Sequence, residues 1–187
     1  MGIALADAAA EYGAEVDLVL GPVGLLPQNK AIRIFNVVSA SEMADECIAL
    51  FDKCDIAILA AAVADFTPER VEERKVKRTD GEFLLRLKPT SDIAESLGGR
   101  KKSGQIVAGF ALETHNEMAN ASKKLERKHL DLIIMNSMQD QGAGFGYKTN
   151  RITIIDSNNN IDKFELKTKE EAARDILDKI VSMMITN

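Results

Sequence analysis

The sequence predicts an α/β fold: a Rossmann-like, mostly parallel sheet with helices on both faces, plus a projecting β-hairpin arm and an antiparallel C-terminal hairpin. Three observations carry this. Helix-period and strand-like segments alternate along nearly all 187 residues, the pattern of a sheet built from βαβ units. The runs Asp55–Ala61 and Asp131–Met135 are almost continuously apolar, as strands covered on both faces must be. Ser39 with Glu42, Thr114 with Glu117 and Thr168 with Glu171 are capping boxes, in which hydroxyl and carboxylate satisfy amides that a first helical turn leaves open.

Met1 to Ala14 reads as an amphipathic helix closed by a glycine at Gly13, and Glu15–Leu20 follows as a strand. Gly21-Pro22-Val23-Gly24 is a turn, Ile32–Val38 a strand, and the Ser39 box opens a helix toward Lys53. Asp55–Ala61 is expected to be a fully buried strand. Lys75–Lys88 places Asp80-Gly81 between alternating apolar and polar residues, a hairpin signal that projects from the body. The Thr114 box starts a helix running to about His129, and Asp131–Met135 is the next strand. Arg151–Ile155 and Ile161–Leu166 flank a looser turn and form the second hairpin, at the sheet edge. In the last helix Ala173, Ile176, Leu177, Ile180, Val181 and Met184 make one apolar stripe.

A net charge of −5, from 24 basic and 29 acidic residues spread along the chain, argues against nucleic acid or an anionic membrane as the main partner. No apolar run approaches the ~18 residues of a transmembrane span, and Cys47 and Cys54 lack metal-type spacing. A cytoplasmic protein with reduced thiols is expected. His115 and His129 have no partner at metal or triad spacing, and there is no Walker A lysine.

In open parallel sheets ligands bind beyond the carboxyl ends of the strands. Four segments there have suitable chemistry. The small residues of Ala60–Ala64 let a ligand approach the backbone, and Asp65 adds a carboxylate, although a loop aspartate would look the same. Lys75, Lys77 and Arg78 could neutralise a polyphosphate or simply protect an exposed hairpin from edge pairing. Ser91 lies near the N-cap of a helix whose open amides suit an anion. Beyond Gly109-Phe110, the helix ends with Lys124 and Lys128 on one face, placed either for phosphate or for the helix dipole.

Together Ala60-Ala61-Ala62-Val63-Ala64-Asp65-Phe66, Lys75-Val76-Lys77-Arg78, Lys88-Pro89-Thr90-Ser91-Asp92-Ile93, Gly109-Phe110-Ala111-Leu112-Glu113-Thr114 and the stretch Lys124–Ile133 closely resemble phosphopantothenate-cysteine ligase (phosphopantothenoylcysteine synthetase), the C-terminal part of the bacterial bifunctional coenzyme A enzyme. The likeness extends to Gly144–Arg151. It implies CTP-dependent joining of 4'-phosphopantothenate to L-cysteine through an acyl-cytidylate, releasing pyrophosphate and then CMP. It implies Lys75 as the catalytic residue at pyrophosphate departure. Leu59, Ala60, Ala61, Asp65, Ser91, Asp92, Ile93, Ala94 and Phe110 would surround cytidine and its phosphates, with Lys124 and Lys128 as further phosphate ligands. Mg²⁺ would bridge phosphate oxygens, FMN would enter only with a decarboxylase domain fused upstream, and the arm would reach across a homodimer.

The resemblance starts at Met1-Gly2. It implies a preceding strand, a glycine-rich loop and an asparagine that these residues do not include, so 1–187 is expected to be a single ligase domain lacking them. Two rival readings are a nicotinamide-dependent oxidoreductase and a non-catalytic nucleotide-binding module. The first expects a ribose-binding carboxylate at the end of the second strand, where Leu20-Gly21-Pro22 stands.

Overall fold

The fold was analysed in a computed structural model that describes residues 1–72, 74–78, 81–113, 117–137 and 147–186. Helix α1 (Gly2–Glu11) leads into β1 (Asp17–Leu20), which pairs in parallel with β2 (Arg33–Asn36). Helix α2 (Ala40–Phe51), β3 (Ile56–Leu59), the short strands β4 (Phe66–Pro68) and β5 (Leu87–Pro89), and α3 (Ile93–Arg100) follow. Strand β6 (Ile106–Glu113), α4 (Glu117–Arg127) and β7 (Leu132–Ser137) form the centre. The chain finishes with β8 (Thr149–Asn150), β9 (Ile152–Asp156), β10 (Ile161–Lys163), β11 (Lys167–Thr168) and α5 (Lys169–Thr186).

The main sheet runs β10-β9-β7-β6-β3. Strands β3, β6 and β7 are parallel, β9 is antiparallel to β7, and β10 returns along the edge, as the sequence leads one to expect of the C-terminal hairpin. Alternate residues of β7 enter two separate cores. Leu132 and Ile134 pack with Leu5 and Ala8 of α1 and with Ala172, Ala173, Ile176 and Ile180 of α5. Ile133 and Met135 pack with Phe51 of α2, Leu97 of α3 and Leu125 of α4. This is the three-layer arrangement required by strands apolar on both faces.

Local chemistry explains the helix ends. The Ser39 hydroxyl accepts the Glu42 N–H at 3.2 Å, and the Glu42 carboxylate accepts the Val38 N–H at 2.8 Å, one residue earlier than an ideal capping box. Thr168 and Glu171 exchange both bonds at the start of α5. Thr114, proposed to cap α4, and His115 lie outside the described residues. Helix α1 ends as expected: Gly13 has φ +86°, with Gly13 N–H on Ala10 O and Ala14 N–H on Ala9 O.

Three expectations need correction. Strand β3 is half-buried rather than fully buried, because among the described residues it pairs only with β6, and its other edge faces a cavity. Among the described residues the arm's ladder lies at its base, where Leu87–Pro89 pairs antiparallel with Phe66–Pro68 and not with the Lys75 side of the segment; Asp80 lies outside the described residues. Ser91 does lie beside the N-cap of α3, as expected; the cap itself is Asp92, whose carboxylate accepts the Glu95 N–H at 3.1 Å. The α5 stripe is buried through Ile180, but Val181 and Met184 are exposed.

Helices α3 and α4 meet at a point that tolerates no side chain. A Cβ on Gly98 would lie 1.9 Å from the Lys128 carbonyl oxygen. Gly98→Ala must therefore push the two segments apart, and we expect a loss of about 2 to 4 kcal/mol. Gly99 has nothing within 4 Å of its Cβ position, so Gly99→Ala should instead stabilise by about 0.5 to 1 kcal/mol. Denaturant unfolding of both variants checks this pair of opposite signs, and equal effects would contradict the close approach.

Asp156, with 7% of its side chain exposed, closes the β9–β10 turn by accepting the Asn158 and Asn160 N–H groups and a bond from Lys179 at 3.1 Å. Burial pushes its carboxyl up, but the Asn160 and Lys179 donors outweigh this and hold it below its ordinary value of 3.8. A lowered folded value gives stability that is present above the unfolded value and lost as pH falls through the folded one. Asp156→Asn should cost about 2 kcal/mol at about pH 7, with the gap to wild type closing as pH falls from the ordinary carboxylate range through the lowered folded value. A gap independent of pH would show that the charge contributes nothing.

Candidate functional site

A cavity of about 1830 Å³ opens at the carboxyl ends of β1, β3 and β6 and runs between β1 and β3. Its wall holds Leu59, Ala60, Ala61 and Asp65 from β3 and its following loop, Ser91, Asp92, Ile93 and Ala94 from the start of α3, Phe110 from β6, and Lys124 and Lys128 from the end of α4. Every site residue expected from the sequence is thus brought to one surface except Lys75. That lysine lies exposed in the arm, away from this wall.

The loop after β3 is tied to the start of α3. Thr90 donates its N–H to Asp65 O at 2.9 Å and its hydroxyl to Ala64 O at 2.6 Å. Sequence reasoning passed over Thr90, yet these two bonds keep Asp65 and the α3 N-terminus side by side. Just beyond, Ile93 and Ala94 begin the helix, where amides not used in the ladder and the positive end of the dipole favour an anion.

The α4 terminus supplies cations to the same corner. The His129 N–H bonds to Glu126 O, the Leu130 N–H bonds to Leu125 O, and His129 has φ +52°. This is a Schellman ending with histidine where glycine is usual, so His129 has a backbone role. Lys128 Nζ lies 2.8 Å from the Asp92 carboxylate and Arg127 lies 4.0 Å from it. Burial pushes the Asp92 carboxyl up, while Lys128, the Glu95 N–H and Arg127 more than offset this and hold it below the ordinary carboxylate range.

Cys47 and Cys54 also reach the cavity wall, half-buried. Burial pushes the Cys47 thiol up to about 11, so it stays protonated and is a poor nucleophile near neutral pH. Among the described residues no group of three or more His, Cys, Asp or Glu could hold a metal. With Asp92 engaged by Lys128, the described residues of this wall would suit an Mg²⁺ held by a ligand's phosphates better than one held in a protein cage.

A second cavity of about 570 Å³ lies at the opposite end of the strands, between Gly98, His129, Asp131 and Ser157. Its polar groups satisfy one another. Lys101 Nζ reaches Asp131 at 2.6 Å and His129 O at 3.1 Å, and the other Asp131 oxygen accepts the Val107 N–H. It is a structural staple.

Comparison with known proteins agrees with this geometry. Residues 1–184 match the model of the DNA/pantothenate metabolism flavoprotein C-terminal domain. The coenzyme A biosynthesis bifunctional protein CoaBC of Bacillus subtilis (strain 168) is 42% identical over 183 residues, covering 98% of this chain and 45% of that protein. A cysteine/cysteine sulfinic acid decarboxylase from an unknown prokaryotic organism is 60% identical over 184 residues, covering 98% of this chain and 51% of that protein. The chain therefore spans about half the length of these relatives. Among solved structures, the C-terminal domain of CoaBC superposes with a TM-score of 0.82 at 35% identity, covering 99% of this chain and 84% of that one. A Cab2 variant in complex with phosphopantothenate-cysteine shares the fold alone, at a TM-score of 0.65 and 16% identity. The match across almost the whole chain, on a fold whose strand ends gather the expected residues, shows that this chain belongs to the DNA/pantothenate metabolism flavoprotein C-terminal domain family.

Proposed function

We propose that the strand-end cavity binds CTP and 4'-phosphopantothenate and that the protein joins the latter to L-cysteine in coenzyme A biosynthesis, in the cytoplasm. One observation carries this reading: eleven of the twelve expected site residues share one cavity wall, with backbone amides and lysines at one corner and the small residues and Phe110 elsewhere on it. The phosphopantothenate-cysteine bound by the structurally similar Cab2 variant is in keeping with it.

In this reading a carboxylate oxygen of phosphopantothenate attacks the α-phosphorus of CTP. The bond to the β-phosphate breaks, and pyrophosphate leaves. The cysteine amine then attacks the acyl carbon, loses a proton and expels CMP as the amide forms. Mg²⁺, when bound, would supply charge compensation on the nucleotide's phosphates. The α3 amides, Lys124 and Lys128 hold the phosphates in line. Their contribution is positioning and electrostatic stabilisation of the transition state.

Lys75 enters from another copy. The arm exposes Val71, Phe83, Leu84 and Leu87, an apolar surface with no core of its own, which a second copy of the chain would cover. Two further elements of the proposal are a parallel strand in the slot between β1 and β3, where both strands have an open edge, and a glycine-rich turn at its end.

The decarboxylase name of the 60% identical relative supports a second reading. An assay of pyrophosphate and CMP release with phosphopantothenate and cysteine, beside CO₂ release from cysteine and cysteine sulfinate, separates the two. It uses the chain with any sequence that natively precedes it. We expect ligation with CTP preferred over ATP. Lys75→Gln should lower turnover by about a hundredfold or more, the effect of removing one transition-state electrostatic group, with the melting temperature unchanged. Mixing Lys75→Gln and Lys128→Met chains should restore up to about a quarter of the activity, because half the dimers are mixed and each has one intact site. CO₂ release without ligation would overturn the reading, and failure of the mixture to recover would return Lys75 to its own chain.

A further inference from the structure

The contact between Asp92 and Lys128 joins two features of the wall that the proposed function uses separately. Asp92 caps α3 through one carboxylate oxygen, which accepts the Glu95 N–H at 3.1 Å. Its other oxygen takes Lys128 Nζ at 2.8 Å and lies 4.0 Å from Arg127. The pair is partly shielded from water, with 19% of the Lys128 side chain and 36% of the Asp92 side chain exposed. It is also rigidly placed. Gly98, six residues along α3, touches the Lys128 carbonyl, and the left-handed His129 fixes where α4 stops.

A cation aimed at an anion site is therefore already neutralised by a carboxylate at the mouth of that site. A polyphosphate arriving over the Ile93 and Ala94 amides must draw Lys128 away from Asp92, and it also meets the Asp92 charge directly. We propose that Asp92 is a positioning residue that competes with the ligand's phosphates for Lys128, holding the lysine at the α3 N-terminus when the site is empty and taking it back when phosphate leaves. The inference rests on the CTP reading of the cavity. It adds to that reading an exchange of partners that loosens polyphosphate binding and speeds release of pyrophosphate and CMP.

Asparagine caps helices as well as aspartate does, so Asp92→Asn removes the charge and keeps the cap. A half-exposed ion pair occupied most of the time lowers apparent affinity by a small factor, and freeing the lysine should recover roughly two- to tenfold. Calorimetric titration with pyrophosphate and with CTP is the test, on wild type, Asp92→Asn, Lys128→Met and the double variant. We expect Asp92→Asn to bind both ligands tighter, most strongly at low salt, and to lower KM together with kcat as release slows. Lys128→Met should bind more weakly, and in its background Asp92→Asn should have little effect.

Asp92→Asn binding equal to or weaker than wild type, with an unchanged melting temperature, overturns the exchange while leaving the CTP site standing. Equal tightening in the presence and absence of Lys128 also overturns it, because Asp92 would then act only by repelling phosphate. Wild-type protein that binds neither ligand overturns the cavity reading and the exchange together.

Discussion

The close approach of Gly98 to the Lys128 carbonyl sets the geometry on which the site depends. Helix α4 stops at a left-handed histidine, which turns the Lys128 carbonyl toward α3, and only a residue without a Cβ can stand there. With the two segments locked, the start of α3 and the last turn of α4 form one corner. Asp92, the α3 amides, Lys124 and Lys128 then lie together without any loop having to be ordered by a ligand. Lys101, bonded to both His129 O and Asp131, fastens the same corner from the far side. The small cavity there is part of the frame that aims the larger one.

The second constraint is the strand edge. Strands β6 and β7 are paired on both sides and buried over Ile106–Gly109 and Leu132–Met135, and they anchor both cores. Strands β1 and β3 each leave an edge toward the cavity, which is why β3 is only half-buried despite its apolar sequence. Apolar side chains and open backbone groups along such a slot are costly to leave uncovered. The slot and the strand-end cavity are continuous, so whatever covers the slot also borders the proposed nucleotide site.

Much of this was legible in the sequence because periodicity and caps are local. The alternation of elements, the Ser39 and Thr168 boxes, the Gly13 ending and the C-terminal hairpin all rest on residues near each other in the chain. The rule that ligands sit beyond strand carboxyl ends pointed to Ala60–Ala64, Asp65, Ser91, Lys124 and Lys128, and the family resemblance added Leu59, Asp92, Ile93, Ala94 and Phe110. Long-range contacts were not legible. Nothing local distinguishes Gly98 from Gly99, although one touches a backbone oxygen and the other touches nothing. Thr90 looks like any loop threonine until its bonds to Ala64 and Asp65 appear. Ser91 and Asp92 are both good caps, and only the position of Lys128 shows why the aspartate takes that place. In the arm the Asp80-Gly81 signal pointed to a hairpin; the pairing among the described residues lies at its base, where Phe66 and Pro89 face each other, a long-range contact that no local signal marks.

The central claim is that a corner locked by Gly98 seats a polyphosphate at the carboxyl ends of the strands. A crystal structure of the protein grown with a non-hydrolysable CTP analogue tests it most directly. The account predicts phosphates over the Ile93 and Ala94 amides, in hydrogen-bond contact with Lys124 and Lys128, and the cytidine against Leu59–Ala61 and Phe110. A nucleotide in the small cavity beside His129 and Asp131, or one whose phosphates point away from α3, would contradict it.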